Sequence, residues 1–238
     1  MQAFASSRLF FIGGLALSAA FFATARADFI NLPVKYSQPI GFNANGQIIG
    51  GDFSSDQTLN TVKADDFTDN YNDPVVAVRW WGSYGNTAQQ ADGFVGPFDI
   101  SFHLSDGTPH PNSLPVNAPL ATYVVNAQQV YVGLDTSPEP VYRYDAYLPT
   151  PFPETAGTEY FMAIDKPASV PLWGWHETPG PHPILDYAAV GASHNGPWVQ
   201  LGTQTDFAFE LMVPEPTSLA LVAVGALGLM MRVRRSGA

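Results

Sequence analysis

The stretch Phe98-Asp99-Ile100-Ser101-Phe102-His103-Leu104 is the clearest indicator of the fold. Its apolar residues recur at every second position, so they lie on one face of an extended strand, while the three polar residues lie on the other. One apolar and one polar face is typical of a half-buried antiparallel strand. The stretch therefore predicts a sheet with one side packed on a core.

Strand-like segments of the same kind recur along the chain, and the connectors between them are dense in Pro, Gly, Asn and Asp. No convincing helical periodicity appears between residues 28 and 212. About ten such strands predict an all-β fold, a single two-sheet antiparallel β-sandwich of jelly-roll type. The predicted strands are 75–81, 98–104, 120–125, 129–132, 141–147, 158–164, 170–175 and 206–212, with weaker candidates at 47–53 and 198–201.

Composition limits the partners of this sandwich. The chain has 10 Lys and Arg against 21 Asp and Glu, a formal net charge of -11. An acidic surface without a basic stripe repels phosphate backbones, so nucleic acid is not an expected partner. The chain has no cysteine, which excludes disulfides, thiolate zinc sites and cysteine nucleophiles.

The N-terminal residues predict export. One positive charge, Arg8, precedes the apolar run LFFIGGLALSAAFFA, which is followed by Ala25-Arg26-Ala27. This order of charge, apolar run and small-x-small site is typical of a secretory signal peptide, and the run is shorter than the ~20 residues of a membrane span. We expect residues 1–27 to form a signal peptide helix read by the Sec translocon, and the mature chain to begin at Asp28.

The C-terminal residues carry three ordered features. Val213-Pro214-Glu215-Pro216 is followed by an apolar segment at 218–231, and then by Arg232, Arg234 and Arg235. The prolines favour an extended motif that a protease can reach, and the basic end is typical of a cytoplasmic stop. Residues 213–238 are expected to anchor the precursor through a transmembrane helix; an ordinary single-pass anchor is the alternative.

This arrangement resembles the PEP-CTERM sorting domain. The resemblance implies recognition of the tail by an exosortase, cleavage near the Pro-Glu-Pro motif, and delivery to the surface or extracellular matrix of a Gram-negative bacterium that makes polysaccharide or biofilm. In addition, residues 63–67 and 75–82 resemble the opening of a sandwich domain found in other exported proteins with this tail. That second resemblance implies no activity.

A run of acidic residues offers a candidate calcium site. Asp65, Asp66, Asp69 and Asp73 lie with two asparagines within nine positions, and calcium prefers such oxygen ligands. The run lacks the spacing of an EF-hand. The alternative is a solvated loop whose side chains cap their own turns, with no cofactor at all.

Tryptophans are candidate sugar-binding residues. Adjacent residues of a strand point to opposite faces, so if Trp80 fills the core, Trp81 faces solvent or is covered by a loop. Trp173 and Trp175 share a face and form either a stacking platform or a core layer. An exposed tryptophan at Trp81, Trp173 or Trp175 would stack on a sugar ring.

The remaining chemistry is not organised into a motif. His176, His182 and His194 lack the spacing of a metal motif, and we interpret them as loop or surface residues. No nucleophile elbow or selected acid pair appears. We therefore expect a non-enzymatic exported protein that binds extracellular polysaccharide; the alternatives are a secreted carbohydrate-active hydrolase and a self-associating matrix subunit.

Overall fold

The computed structural model of the protein describes residues 32–85, 90–167, 171–179, 188–202 and 205–215. These residues form fifteen β-strands and one short 3-10 helix, Gln57–Leu59. The strands are β1 Val34–Gln38, β2 Gly41–Phe42, β3 Ile48–Ile49, β4 Asp52–Ser54, β5 Val62–Phe67, β6 Val75–Tyr84, β7 Gly93–Leu104, β8 Ala121–Leu134, β9 Pro140–Phe152, β10 Tyr160–Asp165, β11 Trp173–Thr178, β12 Ala189–Gly191, β13 Trp198–Gln200, β14 Asp206–Phe207 and β15 Phe209–Met212.

Ten of the strands form one path, in the order β1-β15-β6-β9-β8-β7-β10-β5-β12-β13. Strand β11 branches from this path and pairs with β6, β4 and β14, while β2 and β3 form a separate hairpin. The pairings between these strands are antiparallel. The all-β antiparallel sandwich predicted from the sequence is confirmed.

The main core lies inside the curl of this sheet and is largely aromatic. Strands β5 to β11 and β14 to β15 all turn buried side chains into it. Phe102 stacks on Phe152 with ring centroids 4.2 Å apart, and Trp173 meets Phe98 edge to face at 5.2 Å. Such pairs add to the free energy gained from burying the rings.

The reverse face of β7 differs from the prediction. Ser101 and His103 lie opposite the core face of the strand, yet both are fully buried. Trp198 of β13 packs edge to face on His103 with a centroid distance of 5.3 Å. The prediction of a half-buried strand is wrong at Ser101 and His103, because strand β13 and the chain around Val116 cover this part of the polar face.

A second small cluster covers the reverse face of β6. Trp81 packs with Ile40, which precedes β2, with Ile48 of β3, and with Val141 and Ala208. Both Trp80 and Trp81 are therefore buried, on opposite sides of one strand. The alternative that a covering segment shields Trp81 is confirmed.

Strand bounds follow the predictions at the centres and depart from them at the ends. The predicted strands 120–125 and 129–132 are one long strand, β8. Asp65 and Asp66 were predicted to lie in an acidic loop; they lie in strand β5, whose six residues are all buried. Strands β1, β2 and β12 were not predicted; β2 and β12 have only two and three residues, which give little periodicity.

Candidate functional site

A chain of polar side chains crosses the reverse face of β7. The Ser101 hydroxyl lies 2.7 Å from His103 Nε2 and 2.6 Å from His194 Nδ1. His194 Nε2 lies 2.7 Å from Asp165 Oδ1, and His103 Nδ1 lies 2.8 Å from the Val116 carbonyl oxygen. Strands β7 and β10 hold three of these side chains, and the loop after β12 brings His194 to them.

The hydrogen bonds constrain which atoms of these polar side chains carry protons. The Val116 carbonyl only accepts, so His103 carries a proton on Nδ1. Burial lowers the pKa of His103 to about 4, so at neutral pH its Nε2 accepts from the Ser101 hydroxyl. The serine oxygen then accepts from His194 Nδ1. The bond from His194 Nε2 to Asp165 needs a second proton, which lies on the imidazole or on the carboxyl group.

His194 borders an open groove of about 440 Å³. The polar residues of the groove wall come from the 3-10 helix, from β8, from β10 and from the loop after β12. They include Gln57, Asn60, Thr122, Asp165, His194 and Asn195. The wall therefore offers amide, hydroxyl, imidazole and carboxylate groups side by side.

Asp99 lies next to two residues of this wall, Asp165 and Gln57. It is the cross-strand partner of Asp165, and its Oδ2 accepts a hydrogen bond from Gln57 at 2.9 Å. Burial, and then the charge of Asp165, raises the pKa of Asp99. One ligand atom each from Asp99, Asp165 and His194 lies within 4.8 Å of the others.

A second group of acids and histidine lies at β4 and β11. Asp52, Asp135 and His176 each offer one ligand atom within 4.8 Å of the others. Burial raises the pKa of Asp52 to about 6. The interpretation of His176 as a loop or surface residue is wrong, because it lies inside strand β11 and is fully buried.

The tryptophans predicted to stack on sugar rings are in the interior. Trp173 and Trp175 are fully buried in the main core, and Trp81 exposes 6% of its surface. Trp175 stacks on Phe207 with centroids 4.8 Å apart and donates its indole N–H to the Ala208 carbonyl at 3.0 Å. A ring covered on both faces cannot stack on a sugar, so the stacking interpretation is wrong and the core interpretation is confirmed.

The first two predicted calcium ligands lie in a strand. Asp65 is fully buried in β5, where its Oδ2 accepts from the Gln38 side-chain amide at 2.5 Å and from the Phe207 amide at 2.6 Å. Burial raises the pKa of Asp65 well above its usual value. Asp66 is the next residue and points to the opposite face of the strand, so the two carboxylates do not share a ligand position.

The other two predicted calcium ligands contact a lysine. Lys35 Nζ lies 3.1 Å from Asp69 Oδ2, contacts the Glu154 carboxylate, and donates to the Asp73 carbonyl at 2.6 Å. The Lys35 and Glu154 side chains are each 2% exposed. The structure does not form the predicted calcium site, because the four carboxylates are separated and an ammonium group occupies the loop.

The start of the predicted sorting motif leaves the sandwich beside β15. Val213 donates its amide to the Pro33 carbonyl at 3.0 Å, and the next two residues, Pro214 and Glu215, are exposed. These positions are accessible to a protease. Pro216, Arg232, Arg234 and Arg235 lie outside the described residues.

The predicted signal peptide at 1–27, the C-terminal helix and His182 also lie outside the described residues. Within the part of the chain that the structure describes, no helix is long and apolar enough to cross a bilayer.

Comparison with known families agrees with a sandwich followed by a sorting tail. The PEP-CTERM protein-sorting motif matches residues 213–235, so the chain is an exported protein whose membrane-anchored precursor is processed by an exosortase. A family described as Domain of unknown function (DUF7901) matches residues 34–212. The chain belongs to this DUF7901 family. No curated protein matches the chain.

The groove and the hydrogen-bonded side chains behind it were not predicted from the sequence. A signal was present, since Asp99, Ser101 and His103 share one face of the strand predicted at 98–104. The partners Asp165 and His194 are 60 or more positions away, and only the strand pairing and the loop after β12 bring them close.

Proposed function

We propose that this protein is a non-enzymatic component of the surface or extracellular matrix of a Gram-negative bacterium, where its sandwich binds extracellular polysaccharide. The Sec translocon exports it, and the exosortase processes its tail before delivery. The open polar groove beside His194 is the observation that supports polysaccharide binding.

The wall of the groove suits sugar hydroxyls. Its volume of about 440 Å³ is in the range of small-ligand sites. The side chains of Gln57, Asn60 and Asn195 each both donate and accept, as a hydroxyl does. His194 is held by hydrogen bonds at both ring nitrogens, so one wall is ordered before a ligand binds. In this proposal, sugars are bound by the hydrogen-bonding residues of the groove and not by stacking on tryptophans.

Two observations favour binding over catalysis. Ser101 belongs to a chain of serine, histidine and aspartate, but it is fully buried beneath His194, where a substrate cannot reach its hydroxyl. Asp165 borders the groove, whereas Asp99 is not among the described residues of its wall. Hydrolysis of a glycoside needs both carboxyl groups at the bond that breaks.

One observation favours a second candidate, a carbohydrate-active hydrolase. Carboxylate oxygens of Asp99 and Asp165 lie within 4.8 Å of each other, near the separation of about 5 Å that retaining glycosidases use. A raised pKa, as Asp99 has, is what a general acid requires.

The binding experiment uses the processed protein purified from its own host and the exopolysaccharide of that host. We expect Asn195→Ala combined with Thr122→Ala to weaken binding about tenfold, because two hydrogen-bonding groups of the wall are lost. Both residues are exposed, so folding should persist. Asn45→Ala, on the exposed turn before β3, is the matched control and should bind as the wild type does.

Other outcomes point to the other classes. Release of reducing ends that stops in Asp165→Asn would establish the hydrolase and overturn a non-enzymatic role. Absence of binding, together with assembly that depends on protein concentration, would identify a self-associating matrix subunit.

Sorting has its own test. We expect Glu215→Ala to leave the precursor at its full size in the membrane, as deletion of the host exosortase does, while Glu210→Ala in β15 is processed normally. Unchanged processing and location in both the variant and the deletion strain would contradict sorting through this tail.

A further inference from the structure

The group of Asp52, Asp135 and His176 lies away from the His194 groove. Asp52 of β4 and His176 of β11 are cross-strand partners, and Asp135 follows the end of β8. One ring nitrogen and one oxygen from each carboxylate lie within 4.8 Å of one another. Three separate parts of the chain therefore converge on one point.

The ring of His176 is oriented as that of a metal ligand. Its Nδ1 lies 2.8 Å from the Glu177 carbonyl oxygen, which can only accept, so Nδ1 carries the proton. Nε2 then presents a lone pair. The residue is fully buried, and Nε2 has no hydrogen-bond partner among the described residues. Metal-binding histidines commonly donate their second ring N–H to a backbone carbonyl in this way.

The carboxylates are oriented by similar contacts. The Ser83 hydroxyl donates to Asp52 Oδ2, while Asp52 Oδ1 is buried and has no partner in the described part of the chain. Asp135 Oδ1 accepts from the amides of Ser137 and Glu139, both at 2.8 Å. Each carboxylate has one oxygen held by the protein, as ligating carboxylates usually do.

The local charge favours a cation. Two carboxylates face one imidazole, and no lysine or arginine of the described residues forms an ion pair with either acid. Burial of such charge is costly unless a counter-charge or a metal compensates it. Asp52 also borders a cavity of about 180 Å³, which gives an ion a route to the site.

We propose that Asp52, Asp135 and His176 bind a divalent transition-metal ion, through His176 Nε2 and one oxygen of each carboxylate. One imidazole and two carboxylates suit zinc or a similar ion, whereas calcium prefers a larger set of oxygen ligands. The ion ties β4, β11 and the end of β8 together. In a chain without cysteine, it provides the cross-link that disulfides give other exported domains.

Zinc is the probe that tests this proposal. The full-length protein is stripped with EDTA, the chelator is removed, and zinc is titrated by calorimetry at pH 7.5. We expect one zinc per chain in the wild type. Asp52→Asn, Asp135→Asn and His176→Gln should each weaken the affinity by more than ~100-fold, because each removes a ligand.

His194→Gln is the matched control and should bind zinc as the wild type does, because both ring nitrogens of His194 already have partners. Near-UV circular dichroism of the tryptophan core checks that each variant folds. If His176→Gln does not fold, Asp52→Asn decides, since it preserves the shape and the bond from Ser83.

Three results would overturn the proposal. The first is wild-type affinity for zinc in the folded Asp52→Asn and Asp135→Asn proteins. The second is a wild-type protein that does not bind stoichiometric zinc. The third is zinc that is lost in His194→Gln and retained in His176→Gln. The proposal does not depend on polysaccharide binding, so either can fail alone.

Discussion

Strands β7 and β11 both turn aromatic residues into the main core and polar residues to the reverse face, but the two reverse faces use their histidines differently. Behind β7, His194 has a partner at each ring nitrogen, Ser101 on one side and Asp165 on the other. Behind β11, His176 is bonded at Nδ1, and its Nε2 has no partner among the described residues.

This difference separates two functions that look alike in the sequence. A histidine whose two ring nitrogens both have hydrogen-bond partners offers no free lone pair to a metal, so it orders the wall of a groove. A histidine with one bare, buried nitrogen beside two carboxylates is suited to a cation. The two sites contain similar residue types, and they differ in whether both ring nitrogens of the histidine have hydrogen-bond partners.

The largest predicted effect tests the core that the two strands share. Trp175→Ala should lower the free energy of unfolding by about 4 kcal/mol, because it leaves a cavity beside Phe207. Urea denaturation of the purified protein measures this loss. Phe94→Ala, at a side chain that is 68% exposed, is the control and should change stability by less than about 0.5 kcal/mol. A loss below about 1 kcal/mol in Trp175→Ala would contradict its place in the core.

The second prediction concerns the loss of stability at low pH that His103 of β7 causes. Burial lowers the pKa of His103 from 6.5 to about 4, so between these values the unfolded chain binds a proton that the folded chain does not. The stabilising contribution is complete above pH 6.5 and is lost as the pH falls toward 4. We expect about 3 kcal/mol for this window from the linkage relation.

The measurement is the difference in unfolding free energy between pH 7 and pH 4.5, in wild type and in His103→Gln. Buried acids such as Asp52, whose pKa is raised to about 6, act with the opposite sign, so only the difference between the two proteins isolates His103. Equal acid sensitivity in both proteins would show that His103 is not buried in its neutral form.

The third prediction concerns the stabilisation that zinc gives when it binds at His176 of β11. At a free zinc concentration one hundred times Kd, the wild type should gain about 2.7 kcal/mol of unfolding free energy by mass action. His176→Gln, with an affinity at least ~100-fold weaker, should gain less than about 0.4 kcal/mol, and His194→Gln should gain as much as the wild type. An equal gain in all three proteins would place the ion elsewhere and remove the contrast between the two histidines.

Local periodicity explains which parts of this fold the sequence predicted. The alternation in residues 98–104 identified strand β7 and its core face, and the sorting tail is contiguous, so its features could be read in order. Strand β5 was missed because Lys63, Asp65 and Asp66 resemble a solvated loop, whereas tertiary contacts bury all three.

The two sites could not be predicted because their partners are distant in sequence. Asp52 and His176 meet only through the pairing of β4 with β11, and Asp99 meets Asp165 only through β7 and β10. The calcium hypothesis failed for the converse reason, since acids that are adjacent in the sequence lie on opposite faces of a strand.

The smallest predicted effect compares one serine in each region. Ser83→Ala removes the hydroxyl that orients Asp52, so zinc affinity should fall about tenfold, or about 1.4 kcal/mol, as expected for a group that positions a ligand. Ser101→Ala makes the same chemical change behind β7 and should leave zinc affinity unchanged, because its hydroxyl contacts His103 and His194. Zinc titration of both proteins measures the contrast. An equal loss in both variants would mean that the effect is general loosening of the sandwich, whereas a loss in Ser83→Ala alone ties the orientation of Asp52 to the metal.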